Sequence, residues 1–76
     1  MANVAVLGYG TVGSGVVEVL ERNKAEIRKN AGEEISVKYI LDLRDFPGDP
    51  FEDRVIHDFN RILEDDEIQV VCEVMG

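Results

Sequence analysis

The 76-residue chain has no tryptophan, one histidine, one cysteine and two prolines, and each scarcity closes off a class of protein. A single cysteine, Cys72, forms no internal disulfide, which excludes a disulfide-stapled secreted scaffold and fits a reducing, cytoplasmic compartment. Within its apolar run Cys72 reads as a small buried hydrophobe. Basic residues are few, 8 against 16 acidic, and the net charge of −8 repels nucleic acid and anionic membranes alike. No apolar run approaches the roughly 20 residues of a membrane span. The start Met1-Ala2-Asn3-Val4 lacks the charged region, hydrophobic core and cleavage site of an export signal. His57 has neither a neighbouring nucleophile nor clustered metal ligands and reads as a strand-end or capping group. The acids Glu64-Asp65-Asp66-Glu67 lack the EF-hand spacing and read as a solvated connection, so no metal site is expected.

What is present describes an ordinary globular chain, 45% hydrophobic and 32% charged. At this length a domain buries only about 60% of the surface its unfolded chain exposes, so one small, marginally stable domain is expected and a complete enzyme is not.

Asn3-Val4-Ala5-Val6-Leu7 is short, β-branched and apolar at successive positions, the pattern of a parallel strand buried on both faces. From Thr11 the period becomes helical. Val12, Val16, Val19, Leu20, Asn23 and Ile27 recur at three- and four-residue spacings, predicting one helix from about Thr11 to Asn30. Arg28 and Lys29 sit in its last turn, where cations meet the carbonyl end of the dipole, and Gly32 fits a left-handed cap. Ile35, Val37, Tyr39 and Leu41 alternate with Ser36, Lys38, Ile40 and Asp42, the period of a second strand. Asp45-Phe46-Pro47-Gly48-Asp49-Pro50 is a loop, because its prolines cannot donate to a ladder and Pro-Gly favours a turn. Arg54-Val55-Ile56-His57 is read as a short third strand. Asp58 is placed as the N-cap of a helix through about Glu64, with Phe59, Ile62 and Leu63 facing inward. Ile68 to Val74 is a further strand. The expected architecture is the first half of a Rossmann-type α/β fold: a βαβ unit plus a further short strand, helix and strand, in a parallel sheet of partial order 3-2-1-4. Residues 1–76 are taken as the amino-terminal half of a dinucleotide-binding domain.

Gly8-Tyr9-Gly10-Thr11-Val12-Gly13 carries the chemistry. A Gly-x-Gly-x-x-Gly pattern alone is weak; at the end of a buried strand and the start of an amphipathic helix it is strong. Gly8 permits the tight turn, Gly10 removes the side chain that would block a pyrophosphate, and Gly13 lets the helix approach the strand. Unpaired amides at Thr11, Val12 and Gly13 then face an anion at the positive end of the helix dipole, and the Thr11 hydroxyl adds a donor or a cap. Tyr9 is expected to pack locally. Gly15 is harder to assign, since a glycine inside a helix costs about 1 kcal/mol against alanine, and close packing or cofactor approach would explain it. At the end of the second strand an acid accepts from the adenosine ribose of NAD, whereas an arginine pairs with the 2′-phosphate of NADP. Both types occur, as Asp42 and Arg44, so the choice between the cofactors stays open; a strand-end acid and a surface charge are the plain structural alternatives. Glu73, near the end of the last strand, is either a crevice residue or a surface acid.

Three stretches carry a more specific likeness. Val4-Ala5-Val6-Leu7-Gly8-Tyr9-Gly10-Thr11-Val12-Gly13-Ser14-Gly15-Val16-Val17 resembles the amino-terminal segment of bacterial homoserine dehydrogenases. Val37-Lys38-Tyr39-Ile40-Leu41-Asp42-Leu43-Arg44-Asp45 resembles that family's second strand, and Val70-Val71-Cys72-Glu73-Val74-Met75-Gly76 its strand and turn leading toward the nicotinamide. The resemblance implies an oxidoreductase interconverting L-homoserine and L-aspartate 4-semialdehyde with NAD or NADP, on the route to threonine, methionine and isoleucine, in a homo-oligomeric parent. It also implies that the catalytic lysine and the homoserine-binding acids lie beyond this chain. No catalytic residue is therefore assigned, and Gly8, Gly10, Thr11, Val12, Gly13, Asp42 and Arg44 are the expected cofactor-binding residues. The chain is expected to be an amino-terminal fragment, unable by itself to oxidise homoserine. Another NAD(P)-dependent dehydrogenase with a similar first half and a non-enzymatic nucleotide-binding module are the alternatives, which a reading frame continuing past Gly76 or stopping there would separate.

Overall fold

A computed structural model of the chain describes residues 2–32 and 34–74. The elements in order are strand β1 (Ala2–Leu7), helices α1 (Thr11–Arg22) and α2 (Lys24–Ala31), strand β2 (Ile35–Leu41), a 3-10 turn (Glu52–Arg54), strand β3 (Val55–Ile56), helix α3 (Asn60–Leu63) and strand β4 (Ile68–Glu73). The four strands form one parallel sheet in the order β3-β2-β1-β4, as the sequence implied, and the fold is α/β and Rossmann-like. No helix among the described residues is long and apolar enough to cross a membrane. The turn expected at Met75-Gly76 lies outside the described residues.

β1 is central, and its continuous apolar run follows from burial on both sides. Val4 and Val6 point into a cluster with Tyr9, Val17, Val37 and Ile40; Ala5 and Leu7 point into a second cluster with Ile56 and Ile62. The period-two reading of β2 is corrected by its register. Val4 pairs with Val37 but Ala5 pairs with Tyr39, so Lys38 is an extra residue and the strand changes parity there. Val37 and Ile40, three apart, therefore share the α1 face, while Tyr39 and Leu41 turn to the other.

The single helix expected from Thr11 to Asn30 is two. Asn23 leaves helical geometry at φ −98° and ψ 13°, although its amide still bonds to the Val19 carbonyl and its carbonyl accepts from the Ile27 amide. The buried stripe of α1 also differs from the one read: Gly13 and Val17 face the sheet with Leu20 half-buried, whereas Val12 and Val19 are 64% and 54% exposed. Gly32 caps α2 at φ 71°, donating its amide to the Arg28 carbonyl.

β3 is shorter than the Arg54–His57 segment read as a strand, because Arg54 closes the 3-10 turn and points its guanidinium back to Glu21 at 2.5 Å and the Val37 carbonyl at 3.2 Å. α3 begins at Asn60 instead of after Asp58, whose carboxylate nevertheless accepts the Asn60 amide at 2.9 Å. Of the three residues expected to face inward, only Ile62 is buried; Phe59 is 42% and Leu63 is 66% exposed. Cys72 is half-buried beside the α1-side cluster.

Candidate functional site

The carboxyl ends of β1, β2 and β4 meet in a cleft of about 420 Å³ lined by Gly8, Gly10, Asp42, Leu43, Arg44 and Val74. Backbone bonds fix its floor. The Gly8 amide donates to the Leu41 carbonyl at 2.7 Å, and the Val74 amide donates to the Leu7 carbonyl at 3.1 Å. Gly8 then turns the chain at φ 102°, a conformation that side chains disfavour. Gly13 is the point of closest approach: a Cβ there would stand 1.9 Å from the Gly8 carbonyl oxygen, so α1 reaches the strand end only because that atom is missing. At Gly10 a Cβ would meet only the Arg44 Nη2, at 3.7 Å, which leaves the backbone open toward the cleft.

α1 starts without a side-chain cap at Gly10 and without an acid in its first turn. Its first intrahelical bond runs from the Ser14 amide to the Gly10 carbonyl at 2.9 Å, so the amides of Thr11, Val12 and Gly13 precede the ladder. Thr11 and Val12 are exposed and Gly13 is buried. The Thr11 hydroxyl makes no cap bond; its carbonyl accepts the Ser14 hydroxyl at 3.1 Å. Gly15, by contrast, is exposed with nothing within 4 Å of a Cβ, so close packing does not explain it.

Opposite the helix start, Asp42 and Arg44 form one unit. Asp42 Oδ1 accepts the Arg44 amide at 2.9 Å and its Nε at 3.1 Å; Oδ2 accepts Arg44 Nη2 at 3.0 Å and the Tyr9 amide at 2.9 Å. The guanidinium beside it holds the Asp42 carboxyl well below the usual carboxylate range, with burial opposing and the two amides assisting. Arg44 itself is exposed, lies with its Cζ 5.2 Å from the Phe46 ring centroid, and is held charged by Asp42.

Four features of the side-chain geometry here are not legible from residue pattern. The loop after β2 packs instead of floating: Phe46 meets the Tyr9 ring edge-on at 4.9 Å, and the Tyr9 hydroxyl donates to Asp49 Oδ1 at 2.8 Å. Burial first, then Asp49, pushes the Tyr9 hydroxyl up to about 12. Leu43, 89% exposed, lines the cleft between the two members of the ion pair. His57 has the strand-end role read from the sequence, but its partners are new: it bridges the Asp42 carbonyl at 2.7 Å and Asp45 Oδ1 at 2.9 Å, tying the exit of β2 to the end of β3. Val74, and not Glu73, is the β4-side residue that lines the cleft.

No protein-family model matches the chain. It is 37% identical over 76 residues to the homoserine dehydrogenase of Helicobacter pylori, a match covering 97% of this chain and 18% of that protein. Against the homoserine dehydrogenase of Pseudomonas aeruginosa it is 39% identical over 74 residues, covering 96% and 17% respectively. A crystal structure of Staphylococcus aureus homoserine dehydrogenase at pH 7.0 superposes with a TM-score of 0.86 at 38% identity, covering 99% of this chain and 20% of that one. The chain thus spans less than a quarter of the length of the relatives it matches.

Proposed function

From the premise that the chain, over the portion it spans, belongs to the homoserine dehydrogenase family, we propose that residues 1–76 form the amino-terminal half of a dinucleotide-binding domain. In this reading they hold the adenosine and pyrophosphate part of a nicotinamide cofactor, for an enzyme that interconverts L-homoserine and L-aspartate 4-semialdehyde toward threonine, methionine and isoleucine. One observation carries the proposal: bare glycine backbone leading into an uncapped helix start and an exposed guanidinium line the same cleft.

The residues fit such a ligand. Amides of Thr11, Val12 and Gly13 supply donors for pyrophosphate oxygens, with Gly10 leaving room for the approach. Asp42 and Arg44 stand where the adenosine ribose is read. All four acceptor positions of the Asp42 carboxylate are already taken, by Arg44 three times and Tyr9 once, which leaves none for a ribose hydroxyl. Arg44 is the exposed member of the pair, and a 2′-phosphate is its natural partner. NADP is therefore the preferred cofactor, with NAD accepted more weakly. When bound, the dinucleotide supplies the hydride chemistry of alcohol and aldehyde interconversion.

In this division of labour the 76-residue chain binds cofactor without oxidising homoserine. Calorimetric titration with NADP and NAD tests the binding role, with tighter binding of NADP expected. An absence of binding by either refutes it, and homoserine-dependent NADP reduction by the purified chain refutes the division of labour.

A further inference from the structure

We propose that His57 is a positioning residue: when its ring carries both protons it latches the Asp42–Asp45 segment, and with it Arg44, in the geometry that receives the nucleotide. The inference rests on the preceding reading for the identity of the ligand and adds to it a group that controls the site from outside the cleft.

His57 Nδ1 is 2.7 Å from the Asp42 carbonyl oxygen and Nε2 is 2.9 Å from Asp45 Oδ1. A backbone carbonyl and an ionised carboxylate only accept, and a neutral imidazole has only one N–H to give. Either neutral tautomer therefore satisfies one contact and sets a nitrogen lone pair against an oxygen lone pair at the other. Only the imidazolium makes both bonds.

The latch acts on the site through one residue. The Asp42 amide donates to the Ile56 carbonyl at 3.1 Å, so His57 continues the β2–β3 ladder by one side-chain bond at its open end. From the same Asp42 the carboxylate holds the Tyr9 amide of the glycine turn and the Arg44 guanidinium. Both halves of the proposed nucleotide site are thus tied to the backbone unit that His57 clamps. A hollow of about 300 Å³ lined by Leu41, Asp42, Leu43, His57 and Phe59 adjoins the ring and gives it room to turn when one bond is lost.

The charges facing the ring come from the β2 exit: Asp45 in contact and Asp42 behind its carbonyl, with Arg44 turned to Asp42. On the ring's own segment the Asp58 carboxylate is engaged with the Asn60 amide. The bond to the Asp42 carbonyl first, and Asp45 after it, raise the histidine pKa above 6.5 against an opposing effect of burial. The side chain is 50% exposed, so it exchanges protons freely with solvent. The latch is therefore closed below that raised pKa and opens as pH rises through it, so nucleotide affinity falls with rising pH.

The chain has one histidine, which makes the test direct. Two-bond nitrogen–proton correlation spectra of the 76-residue chain, wild type and Asp45→Asn, are recorded between about pH 5 and 8, alongside calorimetric titration of wild type and His57→Gln with NADP. Because a 2′-phosphate itself titrates near about pH 6, the reading is the difference between wild type and His57→Gln with the same nucleotide. Expected are a doubly protonated ring at the acid end, a lower histidine pKa in Asp45→Asn, and a wild-type affinity that falls about fivefold more than the variant's across the range. By reciprocity, saturating NADP raises the proton affinity of His57 by the same factor of about five. A purely structural His57 would lower stability in the variant and leave the two pH profiles parallel. Parallel profiles, or a ring singly protonated throughout, overturn the latch while leaving cofactor binding intact. Failure of both proteins to bind at every pH overturns the binding role, and the latch with it.

Discussion

The glycine turn between β1 and α1 owes its shape to missing side chains, whereas the exit from β2 owes its shape to side chains that satisfy one another. At the turn, Gly13 stands where a Cβ would lie 1.9 Å from a carbonyl oxygen and Gly8 holds φ at 102°, so the constraint at these two residues is steric. At the β2 exit, Asp42, Arg44, Asp45 and His57 form a chain of charge-assisted bonds with ordinary backbone beneath. The first kind of site fails under steric change, and protons reach it only through the Tyr9 amide that the Asp42 carboxylate holds. The second tolerates new atoms and responds to protons.

The comparison breaks most sharply at Gly13. Gly13→Ala forces the helix start off the strand and is expected to cost about 3 kcal/mol in urea unfolding, near the upper end for overpacked cores. A change under ~0.5 kcal/mol would mean that the close approach is not required. Gly10→Val comes next. It leaves the core untouched but fills the cleft wall beside Arg44, and is expected to cost about 2 kcal/mol of dinucleotide binding, roughly thirtyfold, with little change in stability. Arg44→Ala then separates the cofactors: NADP weakens about tenfold while NAD is unchanged or improved, because Asp42 is released to accept a ribose hydroxyl. An unaltered ratio between the two removes Arg44 from phosphate recognition.

Acid sharpens the same contrast. The folded Asp42 carboxyl sits below its unfolded value, so its contribution is complete above about pH 4 and is lost as pH falls through the depressed range. Asp65, lowered from 3.8 to about 2 by Lys38 at 2.6 Å and by the Tyr39 hydroxyl, behaves in the same way on the far side of β2. Amide exchange at Tyr9 and Arg44, whose N–H groups donate to the Asp42 carboxylate, is expected to rise ahead of that at Ser14, which bonds to the Gly10 carbonyl. Simultaneous loss of all three protections would show one cooperative unit instead of two. The smallest effect belongs to Gly15. With open space around it, Gly15→Ala is expected to stabilise α1 by about 1 kcal/mol in the same urea assay.

The same distinction governs how much of the molecule could be read from residues. Strand order and the steric roles of Gly8 and Gly13 follow from apolar runs and glycine spacing, since both express what backbone can do. Parity across β2 did not follow, because the extra residue at Lys38 is a matter of register and leaves no mark on composition. Asn23 interrupts a helical pattern whose apolar spacing runs on undisturbed, so the break is invisible in the period. Apolarity alone points Phe59 and Leu63 inward, yet burial needs a covering surface, and α3 buries only Ile62. Asp42 and Arg44 are legible as residue types; that each occupies the other is a fact of side-chain geometry, as is the bridge from His57 across 12 and 15 residues of chain.

The central claim, that bare backbone at the glycine turn and the guanidinium opposite it hold an adenine dinucleotide, is tested most directly by titrating NADP into the isotopically labelled chain and following individual amides. Thr11, Val12, Gly13 and Arg44 are expected to shift together along one saturable curve that Gly10→Val flattens. Shifts confined to other surfaces, or none at millimolar nucleotide, would contradict it.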